Sequence, residues 1–308
     1  MNSLNINLFG TFEIFQNKPT CELKITRCIQ GLFAYLLINR DHTHSKDILL
    51  DTFWPDYREE KARKCLNTAL WRLRSILKNN GDSNSQCLLT TPSGDIRIRQ
   101  SQDIWLDIDV FEKGIDQIIK RPIEKANHDD ISKLENAIPL YRGELLEGFY
   151  DNWVLSERER LRNLYVKALR WLMLYYKSQL NFERSIEYAK MILDLDPLRE
   201  EIVRNLMTLY FRLGQRSKAI QQYELCRGIL QNDLGIEPLE ETQELYHSIV
   251  SSAETNLSKS QIPGEDFTLQ IKELTQQLQF AIKKLDDTCA KFEQIKYKLE
   301  ALKGQINN

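Results

Sequence analysis

Two stretches of this chain repeat one another at a spacing of 34 residues, and no other sequence feature constrains the fold as strongly. Leu172-Met173 returns as Leu206-Met207, Tyr176 as Tyr210 and Ile186 as Ile220, while Ser185 is answered by Ala219. The copies run over about 166–199 and 200–233, and Pro197 ends the first because proline cannot continue a helix. A unit of this length is a pair of antiparallel helices that cannot bury its apolar face alone. Small residues such as Ser185 and Ala219 let the paired helices approach, and the large ones fill the stack. About three stacked pairs are needed for stability. Helices before Val166 and after Pro238 must therefore complete it.

Ahead of the repeat lies the stretch RKCLNTALWRLRSILK, residues 63–78. Leu66, Leu70, Leu73 and Leu77 recur at three- and four-residue steps and line one face of a helix, with Ala69 widening the stripe. Between positions 58 and 78 the basic residues are Arg58, Lys61, Arg63, Lys64, Arg72, Arg74 and Lys78. Glu59 and Glu60 are the only acids there, at the helix start, where the helix dipole favours them. Such a helix suits duplex DNA: cations neutralise phosphates, and Arg and Asn side chains pair with base edges in the major groove. Taken alone, the pattern equally describes the solvated face of an ordinary amphipathic helix. Its neighbours decide.

LNINLFGTFEIF alternates on either side of Gly10, the pattern of an antiparallel strand pair, and a third short strand is expected near 21–25. Residues 26–38 read as a helix with Ile29, Leu32, Phe33, Leu36 and Leu37 inward. After a polar turn holding His42 and His44, Ser45 can cap a second helix over 46–53, which Trp54-Pro55-Asp56 ends. The two histidines share that turn with Asp41 and Asp47, but a metal would need convergent ligands, and a solvated turn is the expectation. The basic helix follows, then a loop over 79–85. A hairpin with Pro92-Ser93-Gly94-Asp95 at its tip comes next.

Strands, three helices and a hairpin, with the segments LFGTFEI, SKDILLDTFWPD and LNTALWRLRSIL, resemble the OmpR/PhoB-type winged helix of the antibiotic regulatory protein (SARP) family of bacterial activators. TTPSGDIRI occupies the place of the wing, with Asp95 where the family usually carries an aromatic. The resemblance implies a recognition helix in the major groove and a wing in or beside the minor groove. The DNA-binding candidates are then Arg58, Lys61, Lys64, Asn67, Thr68, Trp71, Arg72 and Arg74 on or beside the helix, and Arg97 and Arg99 on the wing. Trp71 could equally be a packing residue at the domain edge.

Residues 104–111 alternate like a strand running into a helix over 111–119, with Asp109 as its N-cap; Asp107 and Asp109 lack the further ligands of a metal or acid–base site. The 34-residue period is the tetratricopeptide one. YRGELLEGFYDNW, ERERLR, LDPLREE, LGQRSKAIQQYE and LQNDLGIEPLEET resemble the bacterial transcriptional activator domain that follows the winged helix in the same family. Together the resemblances cover about 4–250 and imply an activator that binds promoter repeats and contacts RNA polymerase.

Beyond a polar linker, a heptad places Ile271, Leu278, Leu285, Phe292, Leu299 and Ile306 at one seam position, and Leu274, Ala281, Thr288, Ile295 and Leu302 at the other. That predicts a coiled coil joining two copies of the chain, its dimerisation residues Ile271, Leu274, Leu278, Leu285, Phe292, Ile295, Leu299 and Leu302; the other reading is a single amphipathic helix docked on the repeat.

The expected organisation is mainly α: a winged helix-turn-helix (α+β) over 1–110, a tetratricopeptide-like activator domain over 111–252, a linker over 253–268 and a coiled-coil helix over 269–308. With a net charge of −2, any nucleic-acid surface must be local. The six cysteines form no CxxC pair, no secretory signal or membrane span is visible, and a cytoplasmic protein is expected. No P-loop, GxSxG or HExxH motif occurs, so an enzyme, a cofactor and a metal are not expected. Two functions fit: a DNA-binding transcription regulator, most simply an activator, or a tetratricopeptide adaptor whose winged helix no longer binds DNA.

Overall fold

The computed structural model describes residues 4–16, 25–78, 87–99 and 104–258. The chain falls into two compact units, Met1–Thr242 and Gln243–Asn308.

The first unit opens with β1 (Leu4–Asn7) and β2 (Glu13–Gln16), paired antiparallel with Leu4 opposite Gln16. On its other edge β1 pairs in parallel with β5 (Ile104–Leu106). The intervening chain forms α1 (Arg27–Ile38), α2 (Lys46–Phe53), α3 (Glu59–Lys78) and the hairpin β3 (Leu88–Thr90) with β4 (Ile96–Ile98). Ile29, Leu32, Phe33, Leu36 and Leu37 of α1 are buried, as their spacing predicts. Ser45 caps α2, its hydroxyl accepting the Ile48 amide at 3.2 Å. The expected strand at 21–25 and the loop at 79–85 lie outside the described residues, apart from Ile25.

Three local expectations need correction. β5 ends at Leu106, and α4 (Asp107–Ile115) starts at once, because Ile108, Phe111 and Ile115 are buried at helical spacing even though the run also alternates. Asp109 is therefore inside the first turn, with Leu106 at the N-cap position, and its carboxylate pairs with Arg40 at 2.6 Å. The turn before α2 is not wholly solvated: His44 is buried, and its backbone exchanges two hydrogen bonds with Ile96 of the hairpin, both 2.8 Å.

The helical part continues through α5 (His128–Ala137), α6 (Asn152–Ser178), α7 (Phe182–Leu195), α8 (Glu200–Arg212), α9 (Arg216–Leu234) and α10 (Glu240–Ser258). Pairs α6–α7 and α8–α9 are the two sequence repeats, and Leu172, Met173, Leu206 and Met207 are all buried. The Ser185 hydroxyl donates to the Met173 carbonyl at 2.8 Å, so the small residue brings α7 onto α6. The repeated tyrosines differ. Tyr210 is 5% exposed, whereas Tyr176 is half-buried and donates its hydroxyl to Glu135 of α5 at 2.6 Å. Burial, aided by that carboxylate, pushes the Tyr176 hydroxyl up to about 12 and keeps it a donor. Gly235, at φ +68°, supplies the left-handed residue that ends α9. Glu200 of α8 then accepts the Leu239 amide at 2.8 Å and the Thr242 hydroxyl at 2.6 Å, holding the start of α10. α10 runs through Ser258, so residues 253–258, expected as linker, are helical; they are polar but contain neither glycine nor proline. The coiled-coil segment lies outside the described residues. Among the described residues no helix is long and apolar enough to cross a membrane.

Candidate nucleic-acid interface

α3 has two faces, and the sequence sorts them. Ala62, Leu66, Ala69, Leu70, Leu73, Ile76 and Leu77 are buried against the rest of the winged helix. Lys61, Lys64, Asn67, Thr68, Trp71, Arg72 and Ser75 are exposed on the remaining circumference, and Arg58 is exposed just before the helix begins. Arg63 stands apart. It pairs with Glu59 at 2.7 Å and reaches Asp47 of α2 at 3.7 Å, so its charge is already matched within the protein.

The exposed groups fall into two flanks about a crest. On one flank, Lys61, Lys64, Thr68 and Arg72 line a cleft of about 300 Å³ closed by Thr26, Cys28 and Ile29 at the start of α1 and by Trp54. The Lys61 ammonium also sits 4.1 Å from the centre of the Tyr57 ring. On the other flank, Arg74 is half-buried and its guanidinium donates to the Thr90 hydroxyl of β3 at 2.7 Å, joining helix to hairpin. Trp71, between the flanks, is 68% exposed, so it is no packing residue within the first unit.

In the hairpin, Ile96 and Ile98 point inward, while Arg97 and Arg99 are exposed. The tip is ordered by its own side chains. Gly94 adopts φ +91°, the Thr91 hydroxyl accepts the Asp95 amide at 3.0 Å, and the Ser93 hydroxyl donates to the Asp95 carboxylate at 2.6 Å. Asp95 is thus engaged inside the turn. The structure gathers the eight helix candidates around one exposed face and ties the wing to it through Arg74, while His44 holds the hairpin to the turn before α2. The dimerisation candidates Ile271 to Leu302 lie outside the described residues.

Sequence reasoning missed what fixes this surface in place. The Asp107 side chain is 1% exposed, and its carboxylate accepts the amides of Leu8, Phe9 and Ile108 at 2.8–3.0 Å. Burial pushes that carboxyl above the usual range, against the pull of the three amides and of Arg142. Beside it, Gly10 donates to the Glu144 carbonyl at 2.8 Å, Leu146 to Leu8 at 2.8 Å and Glu147 to Gly10 at 2.7 Å. Trp153 of α6 packs edge-on to Tyr35 of α1 and Phe53 of α2, with ring centres 5.2 and 6.3 Å away. The Arg27 guanidinium lies 4.8 Å from the Phe149 ring and donates to the Gly148 carbonyl. A side chain at Gly31 would meet that ring, since its Cβ would sit 3.3 Å away. The winged helix is therefore seated on the helical part by backbone pairing, a buried carboxylate and aromatic contacts. Asp107 was visible as an acid in the sequence, but nothing local in its pattern signals partners at Leu8 and Phe9.

Comparison with known proteins agrees with this architecture. Residues 106–250 match the bacterial transcriptional activator domain family. The transcriptional regulatory protein MoaR1 of Mycobacterium bovis is 23% identical over 229 residues, covering 72% of this chain and 71% of that protein. The regulatory protein AfsR of Streptomyces coelicolor is 23% identical over 226 residues, 72% of this chain but 22% of AfsR. The solved structure of Mycobacterium tuberculosis EmbR, in complex with a low-affinity phosphopeptide, superposes with a TM-score of 0.67 at 20% identity. That match spans 82% of this chain and 66% of the EmbR chain, and it shows a shared fold. Residues 106–250 thus carry a bacterial transcriptional activator domain behind a winged helix, the arrangement in which this chain resembles SARP-type transcriptional regulators.

Proposed function

We propose that this transcription regulator works by binding duplex DNA, with α3 in the major groove and the β3–β4 hairpin beside it. The observation that carries the reading is the exposed face of α3: Lys61, Lys64, Asn67, Thr68 and Arg72 stand free of acidic partners among the described residues, while Arg63, one turn before Asn67, is already matched by Glu59 and Asp47. Lys61, Lys64, Arg58, Arg97 and Arg99 are suited to phosphate neutralisation, and Asn67, Thr68 and Arg72 to base edges. Arg74 acts partly by holding the wing.

In this reading the protein is an activator. The helical part, rigidly attached to the DNA reader, offers RNA polymerase a surface whose position is set by the bound site. Residues 269–308 join two copies through their heptad seam, and the half-sites then lie near a multiple of about ten base pairs apart. The division into a winged helix, an activator domain and an assembly segment over 269–308 belongs to the same proposal, with α4 joining the first two and α10 carrying the helical part through Ser258.

Selection of bound sequences from a random duplex library, using the full chain, tests it. Enrichment of a defined element, and its loss on changing Arg72 to alanine, are the expected results. Failure to enrich any sequence, with no binding to duplex DNA at low salt, would transfer the winged helix to the adaptor reading.

A further inference from the structure

Trp71 is the one large apolar side chain of α3 that lies off the buried stripe: Leu66, Leu70, Leu73, Ile76 and Leu77 are all buried, and the indole is 68% exposed. No aromatic contact within the described residues engages it, unlike Trp153 or Trp171. Its neighbours one turn away are Asn67, Thr68 and Ser75, and Lys64 lies two turns back on the same face. Arg72 and Arg74 flank it, while the acids of the helix, Glu59 and Glu60, are confined to the first turn. The surface thus has an apolar centre inside a polar and cationic surround. Its complement is a polyanion that presents an apolar spot among hydrogen-bonding groups.

The major groove of DNA has that character at one base. Thymine carries a 5-methyl group, the only apolar group among the major-groove edges, and an O4 acceptor beside it. An indole offers an apolar body and one N–H donor. We infer that Trp71 is a specificity-determining residue that reads thymine by its methyl group; the inference rests on the DNA-binding reading above. Covering the indole also removes apolar surface from water, so the contact favours thymine over cytosine or deoxyuridine at the positions beneath it.

The test uses the full chain and a duplex obtained by selection. Each thymine in turn is replaced by deoxyuridine, which lacks only the methyl group. For the unaltered protein, replacement at one or two positions should weaken binding about three- to fivefold, the value of one methyl withdrawn from water. Trp71→Ala should bind less tightly and show no further loss at those positions. Trp71→Phe should restore part of the discrimination. Because the side chain is exposed, circular dichroism of Trp71→Ala should match the unaltered protein. A deoxyuridine scan that is silent throughout, or equally effective with Trp71→Ala, overturns the inference while salt-dependent binding to the selected site leaves the DNA-binding reading standing. A Trp71→Ala protein that binds DNA normally but fails only to activate transcription assigns the indole to a protein partner and overturns it too. Absence of any duplex binding removes both.

Discussion

The Asp107 carboxylate holds the Leu8 amide between its two oxygens, at 3.0 and 2.8 Å, across 99 residues of sequence. One of those oxygens also takes the Phe9 amide at 2.9 Å. The end of the first strand and the first residue of α4 are thereby fixed to one another, and with them the winged helix and the helical part. Changing Asp107 to alanine leaves three buried amides, those of Leu8, Phe9 and Ile108, without this acceptor. At about 1–3 kcal/mol for each, the variant should lose at least about 3 kcal/mol of stability in urea denaturation. A loss well under 1 kcal/mol would mean that water or a neighbouring carbonyl replaces the carboxylate.

The same residue makes stability depend on pH in an unusual direction for an acid. Burial raises the Asp107 carboxyl above the value of about 3.9 expected in the unfolded chain. The native state therefore binds this proton more readily, and the stability contributed by the group is fullest below the unfolded value and is lost as pH rises through the folded one. Asn at this position cannot titrate. The stability difference between the unaltered protein and Asp107→Asn should shrink as pH rises from the unfolded carboxyl value, about 4, through the raised native one. A difference that widens with pH would show that the amide donors outweigh burial.

Tyr210 and Tyr176 occupy equivalent places in the repeat but should respond differently. Tyr210 is buried in the stack, and Tyr210→Ala should cost roughly 2–4 kcal/mol in thermal or chemical unfolding. Tyr176→Phe removes only the hydroxyl that donates to Glu135 and should cost about 1 kcal/mol. Unfolding curves that coincide with the unaltered protein for Tyr210→Ala would break the repeat register.

Arg74 ties α3 to the wing through Thr90. Thr90→Val keeps the strand and its β-branched shape but removes the acceptor. It should leave the melting temperature nearly unchanged and weaken binding to a selected site, since the wing and the helix no longer share a fixed spacing. Equal binding by Thr90→Val would reduce the contact to a surface hydrogen bond of no functional weight.

The leucine stripe of α3 and the Leu172-Met173 and Leu206-Met207 repeats were legible because each rests on a period that one helix or one helix pair imposes locally. The Ser45 cap was legible for the same reason. The strand–helix boundary at Leu106 was not, because 104–111 satisfies the alternating and the helical pattern at once and only burial separates them. His44 read as a turn residue, yet its backbone pairs with Ile96, far along the chain. Arg40 with Asp109, and Asp107 with Leu8, are likewise long-range pairs whose partners carry no local mark. The candidate surface was legible as a set of exposed cations, but the engagement of Arg63 by Glu59 and Asp47, and of Arg74 by Thr90, required the fold.

In the proposed function the exposed face of α3 carries the protein onto DNA. Titrating salt against binding to a random duplex tests it most directly, comparing the unaltered chain with one in which Lys64, Arg72 and Arg74 are all changed to alanine. Each phosphate contact contributes about −0.9 to the slope of log affinity on log salt. The unaltered protein should show a steep negative slope, and the variant should keep its fold while its slope falls by about two to three units. Equal affinity and equal slope for the two proteins would contradict the account.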